Sequence, residues 1–181
     1  MTPTEILKHE HKIILMVLDS AEREVNSISA SKKINSEKIS KMLDFFRNFA
    51  DKCHHAKEEK HLFTMMNKKG MPSENGPIFV MLKDHDEGRR RLKAVADSIP
   101  PADAGDAGAV VRIKENLSAY IEMLRSHIQK EDNLLYPMAD QMFSVKDQEE
   151  LSGAFEKVET EEIGAGVHEK YHALAHELGK N

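Results

Sequence analysis

Two short stretches decide the fold of this chain, His54-His55-Ala56-Lys57-Glu58-Glu59 and His127-Ile128-Gln129-Lys130-Glu131. Each holds a histidine and a glutamate four residues apart, which places both side chains on one face of an α-helix. The first stretch offers two overlapping pairs, and the hydrophobic spacing chooses between them. The buried face of that helix is marked by Ile39, Leu43, Ala50 and Met65. His54 and Glu58 lie within about 60° of this face on a helical wheel, whereas His55 and Glu59 fall about 100–140° away, at or beyond its edge.

Three further predicted helices each bring one histidine to a hydrophobic face. His11 lies on the buried face of the first helix, and His9 lies roughly opposite on the wet face. His85 takes the inward position in the third helix, and His127 with Glu131 does so in the fourth. The hydrophobic residues that share these faces include Leu7, Ile14, Met81, Leu92, Leu124 and Leu134.

The spacing of hydrophobic residues predicts helices throughout the chain. These helices span about 3–28, 39–66, 77–98, 107–142, 145–162 and 167–178. A kink or interruption is expected near Pro137, and the Pro- and Gly-rich residues 100–106 are expected to form a linker. Thr2 with Glu5, and Ser144 with Asp147, are typical of helix starts.

The predicted fold class is all-α, because no alternating hydrophobic run of strand length competes with the helices. Four long amphipathic helices joined by short or polar links favour an antiparallel four-helix bundle. Residues 1–142 are expected to form this bundle. Residues 143–181 are expected to be an extension of one or two helices packed on it.

The inward histidines and glutamates indicate a metal centre. An ionised glutamate inside a hydrophobic bundle is costly unless a cation compensates it, and two divalent metals bound by the four histidines would do so. Bundle helices commonly build di-metal sites in this way. Imidazole with carboxylate suits iron, manganese or zinc, and no thiolate marks a structural zinc site. A single histidine on such a face is more often an ordinary core residue, so the interpretation depends on all four together.

Composition excludes several classes of function. The 181 residues carry 31 acidic and 26 basic side chains, a net charge of −5, which argues against a nucleic-acid partner. No hydrophobic run is long enough to span a membrane, and the amino terminus does not have the layout of a signal peptide. The single cysteine suits a reducing compartment, so the expected location is cytoplasmic.

The motifs resemble those of the hemerythrin-like, or HHE cation-binding, family. Over roughly residues 1–142 the matching stretches are Glu10-His11-Lys12, residues 54–63, Asp84-His85-Asp86-Glu87-Gly88-Arg89 and residues 127–137. The resemblance implies a four-helix bundle that holds two iron ions with an oxo or hydroxo bridge, with manganese or zinc as substitutes. Its implied ligands are His11 and His54 on one iron, His85 and His127 on the other, and Glu58 and Glu131 as bridges.

One feature departs from the oxygen-carrying hemerythrins, which have an extra histidine one turn from the ligand of the third helix. Here the neighbouring turns offer Met81 and Arg89. The six-ligand set is nearer to di-iron proteins implicated in iron–sulfur cluster repair and nitric oxide responses, and to iron-sensing relatives. Open positions on both irons would favour reaction over simple oxygen storage.

The expected function is therefore that of a non-haem di-iron protein that binds or reacts with oxygen, nitric oxide or hydrogen peroxide. The alternatives are an iron or oxygen sensor, or an iron-storage or delivery module, without turnover, and a structural bundle with zinc. A protein redox partner would fit the di-iron function. Enzyme activity and oligomeric state stay open. In the extension, His168, His172 and His176 share one helical face. One interpretation is a helix that only caps the bundle. The other is that one of these histidines, or Tyr171, covers the open positions of the metals, provided that the helix packs near helices one and three.

Overall fold

A computed structural model describes residues 1–180, and Asn181 of the predicted extension lies outside the described residues. These described residues fold into six helices. They are α1 (Pro3–Ser31), α2 (residues 36–68), α3 (Gly76–Asp103), α4 (residues 107–142), α5 (residues 145–164) and α6 (Val167–Lys180). No strand occurs among residues 1–180, so the all-α prediction is confirmed.

Helices α1 to α4 form a closed ring in which each contacts the next and α4 contacts α1. Two helix starts, those of α1 and α5, have the capping residues that the sequence predicts. Thr2 accepts a hydrogen bond from the Glu5 backbone while the Glu5 carboxylate accepts one from the Thr2 backbone, and Ser144 and Asp147 repeat this capping box at α5. Such caps satisfy backbone N–H groups that have no partner within the helix.

The expected linker at residues 100–106 is only partly correct, because α3 continues through Pro100 and Pro101 to Asp103. Because proline has no N–H, Pro100 and Pro101 leave the carbonyl groups of Ala96 and Asp97 without their helical donors. Ala96 is half-buried and Asp97 is exposed, so water can satisfy these carbonyl groups. The helix breaks at Gly105, whose φ of 96° favours glycine.

Helices α2 and α4 are not α-helical throughout. In α2 the segments Phe46–His55 and Glu58–Leu62 have π-helical hydrogen bonding, and in α4 the segment Glu131–Leu135 does. A π-helix closes i→i+5 bonds, so each turn holds more residues than the usual 3.6. The His–Glu stretch of α2 spans both of its segments, and Glu131 of the second stretch begins the segment of α4. The π-helical turns change which side chains face inward there.

The hydrophobic core consists of two clusters with a polar layer between them. Within each bundle helix the candidate histidine separates the two: on α1, Leu7 belongs to one cluster and Ile14 to the other, with His11 between them. On α3, Met81 and Leu92 flank His85 in the same way. The polar layer therefore crosses the bundle as a slab enclosed by hydrophobic packing on both sides.

The extension packs mainly on α1 and α2. The covering role was predicted on the condition that it packs near helices one and three, so the condition is met for α1, while α2 rather than α3 is the second main neighbour. Tyr171 of α6 packs edge-on against Phe45 at 6.2 Å between ring centroids, and its hydroxyl donates to Asp44. Ala175 and Leu178 join the larger hydrophobic cluster. The predicted division of the chain at residue 142 stays a prediction. Among residues 1–180 no helix has the length and apolar character needed to cross a lipid bilayer.

Candidate metal centre

The six side chains predicted as ligands all lie in the polar layer and are almost completely buried. Their exposed fractions are 1% for His11, His54, His85 and His127 and 0% for Glu58 and Glu131. Two overlapping groups have candidate ligand atoms within 4.8 Å of one another, and both include Glu58. One group comprises His11, His54, Glu58 and Glu131, and the other comprises His55, Glu58, His85 and His127.

Each glutamate lies between imidazoles of both predicted pairs. Glu58 Oε2 is 3.8 Å from His54 Nε2 and 3.4 Å from His85 Nε2. Glu131 Oε2 is 3.3 Å from His11 Nε2 and 3.2 Å from His127 Nε2. This is the placement that a bridging carboxylate needs, although the assignment of all six as ligands stays a prediction.

The helical wheel was wrong about His55, which is buried and belongs to the second group. Its ring stacks on that of His85, with centroids 3.8 Å apart and an angle of 14° between the planes. The helical wheel assumes a rotation of about 100° per residue. In the π-helical turns of α2 the rotation per residue is smaller, which brings both His54 and His55 inward. His55 is therefore a further candidate donor from α2.

The same effect corrects another wheel prediction. Leu134, expected on the buried face of α4, is 54% exposed, and Leu135 and Tyr136 take the inward positions after the π-helical segment. His61 of α2 is only half-buried and packs beside Phe155 of α5, away from the polar layer.

A ring of carboxylates surrounds the histidines, and sequence reasoning assigned none of them a role. Each of four carboxylates binds the Nδ1 of a histidine on the adjacent helix. The pairs are Glu10–His54 at 2.8 Å, Glu59–His85 at 2.7 Å, Asp84–His127 at 3.3 Å and Asp132–His11 at 2.8 Å. A fifth, Asp51, lies 3.4 Å from His55 Nδ1 on its own helix. Such partners orient an imidazole and leave its Nε2 free for a metal.

These carboxylates do have a signal in the sequence, since Glu10 directly precedes His11 and Asp84 directly precedes His85. The signal is misleading because neither binds its neighbour in the chain. Consecutive residues on a helix point about 100° apart, so each carboxylate reaches the next helix of the ring.

Charges within the layer shift the proton affinities of the histidines. Burial lowers the pKa of His11, but the Asp132 and Glu131 carboxylates outweigh this and raise it to about 9. Burial also lowers the pKa of His127, but the Glu131 and Asp84 carboxylates outweigh this and raise it to about 10. His55 differs, because burial and the neighbouring His85 lower its pKa. The raised pKa values of His11 and His127 favour their imidazolium forms at neutral pH without metal, and these offset the charge of the buried carboxylates.

Several buried polar atoms fit a metal. Among residues 1–180, His54 Nε2, Glu58 Oε2 and both carboxylate oxygens of Glu131 are buried without a hydrogen-bond partner. Such atoms are rare in folded proteins, and an ion is one common explanation. The Nε2 atoms of His85 and His127 also approach to 3.2 Å and point at each other. Imidazole and carboxylate donors without thiolate fit iron, manganese or zinc.

Tyr136 completes the inner layer, although the sequence did not single it out as a site residue. Its hydroxyl donates to Glu58 Oε1 at 2.5 Å and lies 3.4 Å from His11 Nε2, and its ring stacks on that of His11. Burial and the charges of Glu131 and Glu58 raise its pKa well above the ordinary value. Tyr136 is thus a neutral hydrogen-bond donor that holds one candidate bridge.

A narrow cleft, with room for about one water-sized molecule, lies between α3 and α4 and reaches the second group. Its inner end is formed by His55, His85 and His127, and its walls are largely hydrophobic. Gly88 lines the cleft, and a Cβ there would lie 3.1 Å from Met123 Cε, so a larger residue would crowd this wall. At the mouth Arg89 binds Asp51 and Glu59, the carboxylates that hold His55 and His85.

Comparison with known proteins agrees with this geometry. The hemerythrin HHE cation-binding domain family matches residues 2–139. The uncharacterized protein Rv1995 of Mycobacterium tuberculosis is 22% identical over 164 residues, which cover 91% of this chain and 64% of that protein. The iron–sulfur cluster repair proteins YtfE of Musicola paradisiaca and of Enterobacter sp. (strain 638) are 36% and 37% identical over 90 and 91 residues, in each case 48% of this chain and 40% of theirs.

The chain thus spans less than two thirds of the length of these relatives. No solved structure matches it. The family match covers more than half of the chain and includes all the buried histidines and glutamates of the two groups. The chain therefore belongs to the hemerythrin HHE cation-binding family and is a metal-binding protein.

Proposed function

We propose that the chain holds two iron ions, bridged by Glu58 and Glu131, and that it binds or reacts with a small molecule such as oxygen, nitric oxide or hydrogen peroxide. The observation that carries this proposal is the pair of overlapping buried donor groups that share Glu58. One group of four donors would suffice for a single ion. Two groups that meet at a carboxylate are the arrangement of a two-metal centre.

The repair proteins among the relatives favour iron over manganese or zinc, because their name concerns iron–sulfur clusters. Bound iron would supply redox chemistry and open coordination positions at the centre. The residues of the chain do the rest. The carboxylate ring orients the imidazoles, and the Tyr136 hydroxyl donates a hydrogen bond that holds Glu58. The two hydrophobic clusters on either side of the polar layer exclude bulk water.

The cleft supports a small molecule rather than a large substrate. Its walls are mostly hydrophobic, and its free space suits a single water-sized molecule. Arg89 closes its mouth through ion pairs with residues that also hold His55 and His85. A diatomic molecule or a peroxide fits such a passage, whereas a metabolite of ordinary size does not.

An anaerobic iron titration of the purified chain tests the proposal. We expect saturation at about two iron ions per chain, followed by an absorption band of a bridged ferric pair on exposure to air. Rapid turnover of peroxide or nitric oxide would support reaction. A stable oxygen adduct without turnover would support the sensor or storage alternative. Saturation at one ion, or a colourless protein that retains only zinc, would contradict the di-iron proposal.

Replacement of His55 tests the second donor group. We expect His55→Ala to lower the retained metal by about one ion per chain, an effect as large as that of His54→Ala, because both imidazoles face candidate metal positions. His61→Ala is the matched control, since His61 lies on the same helix but outside both groups. Metal analysis after gel filtration measures the result. Full metal content in His55→Ala beside a loss in His54→Ala would remove His55 from the centre.

A further inference from the structure

A chain of polar contacts joins the centre to the extension that follows the bundle. Glu10 accepts from His54 Nδ1 through Oε2 and binds the Lys57 ammonium through Oε1. Lys57 also donates to Glu159 of α5 at 2.5 Å. His168 of α6 approaches Glu10 Oε1 to 3.3 Å. His168 thus reaches a candidate ligand, His54, through Glu10, and Glu159 reaches it through Lys57 and Glu10.

Burial shows that this is not an ordinary surface ion pair. Lys57 is 0% exposed and Glu10 is 1% exposed. Lysine and glutamate are almost never buried this fully unless they are paired, and loss of one partner leaves an uncompensated charge inside the protein. Glu159 and His168 supply the remaining partners from outside the region that matches the family.

These contacts argue against a third metal at this place. Glu10, Glu159 and His168 have donor atoms close enough for one ion. The Lys57 ammonium already binds both carboxylates, so their charge is met by a cation of the chain itself. The cluster therefore holds Glu10 in place, and Glu10 holds His54.

We propose that the extension is a positioning part of the metal centre: Glu159 and His168 fix Lys57 and Glu10, which fix His54, so that docking of the extension and metal binding beside His54 stabilise each other. This rests on the proposed metal centre. The coupling is reciprocal by thermodynamic necessity. If docking raises metal affinity by some factor, bound metal favours docking by the same factor.

The residues to change are Glu159→Gln and His168→Ala, alone and together, in the full-length chain. Glu162→Gln is the matched control for the first, because Glu162 lies on the same helix and binds only the exposed Lys60. His176→Ala is the control for the second, because His176 lies on the exposed face of α6. Glutamine keeps a hydrogen-bond acceptor for Lys57, and His168 is only partly buried, so both variants are expected to fold.

Two measurements then test the coupling. Release of iron to a chelator is expected to become about tenfold faster in the double variant, the lower end of the effect seen for residues that orient ligands. Only the phase that belongs to the ion beside His54 should change, whereas a loosened fold would speed both phases. Hydrogen exchange in residues 167–180 is expected to slow when metal binds to the parent chain, and not in the double variant.

The coupling would be overturned, but not the metal centre, by two results together. Iron would be released from the variants at the rate of the parent chain, and hydrogen exchange in residues 167–180 would be the same with and without metal. A parent chain that binds no metal would overturn both the centre and the coupling. Equal effects of the control variants would show that the result is a general property of the surface of α5 and α6.

Discussion

Glu58→Gln is expected to empty both halves of the centre, with a loss of metal affinity greater than about a hundredfold. Residues that only orient a ligand already cost about 10–100-fold when changed. Glu58 is more central than these, because it belongs to both donor groups and approaches imidazoles of both predicted pairs. Glutamine preserves the shape and can still accept from Tyr136, so the variant removes a charge and leaves the packing nearly intact.

Metal analysis of protein purified with excess iron measures this effect, and circular dichroism checks the fold. Glu37→Gln is the control, because Glu37 lies on the same helix and its side chain is 83% exposed. The control should retain the metal content of the parent chain. A Glu58→Gln protein that keeps about two ions per chain would exclude Glu58 as a shared ligand, and one that keeps a single ion would confine its role to one half.

Metal affinity is expected to rise steeply with pH, by up to about a hundredfold per pH unit from neutral pH to about 9. Without metal, the raised pKa values of His11, about 9, and His127, about 10, keep both imidazoles protonated at neutral pH. A metal binds only the neutral form, so two protons leave and each contributes about tenfold per pH unit. The slope should fall to one proton between about 9 and 10 and vanish above.

The stability of the metal-free chain should change in the opposite direction. A histidine whose folded pKa exceeds its unfolded value of about 6.5 stabilises the fold fully below that value and loses the contribution as pH rises through the folded pKa. The melting temperature of the metal-free chain is therefore expected to fall between pH 7 and 10, while that of the metal-loaded chain holds. At neutral pH the protonated His11 and His127 therefore supply cations to the buried glutamates of the metal-free bundle.

Competition with a chelator at several pH values measures the affinity, after correction for protonation of the chelator itself. His9→Ala is the control, since His9 is exposed and belongs to neither donor group. An affinity that stays constant between pH 7 and 9 would show that the imidazoles are already neutral in the metal-free protein.

Local sequence patterns were sufficient to predict the helices and the burial of six polar side chains. Hydrophobic spacing located all six helices to within a few residues, and two capping boxes marked their starts. His11, His54, His85 and His127 are buried as predicted, because a helical face that repeats every 3.6 residues must lie against the core. These are properties of neighbouring residues on one helix, and a helical wheel represents them well where the hydrogen bonding is α-helical.

The wheel failed where the backbone departs from the α-helix. In α2 the π-helical turns bring His55 inward beside His54, and in α4 they turn Leu134 outward. The choice between α and π turns depends on which side chains the surrounding helices accept, and the sequence of one helix does not contain that information.

By itself, the sequence determined an all-α chain whose buried faces carry four histidines and two glutamates, because helical periodicity is a local property. Only the tertiary structure decided which groups meet. It paired each carboxylate with a histidine of the next helix, added His55 and Tyr136 to the centre, and linked the extension to His54 through Glu10 and Lys57. Contacts between helices depend on how the helices pack around the ring. That packing is determined jointly by residues that lie far apart in the sequence.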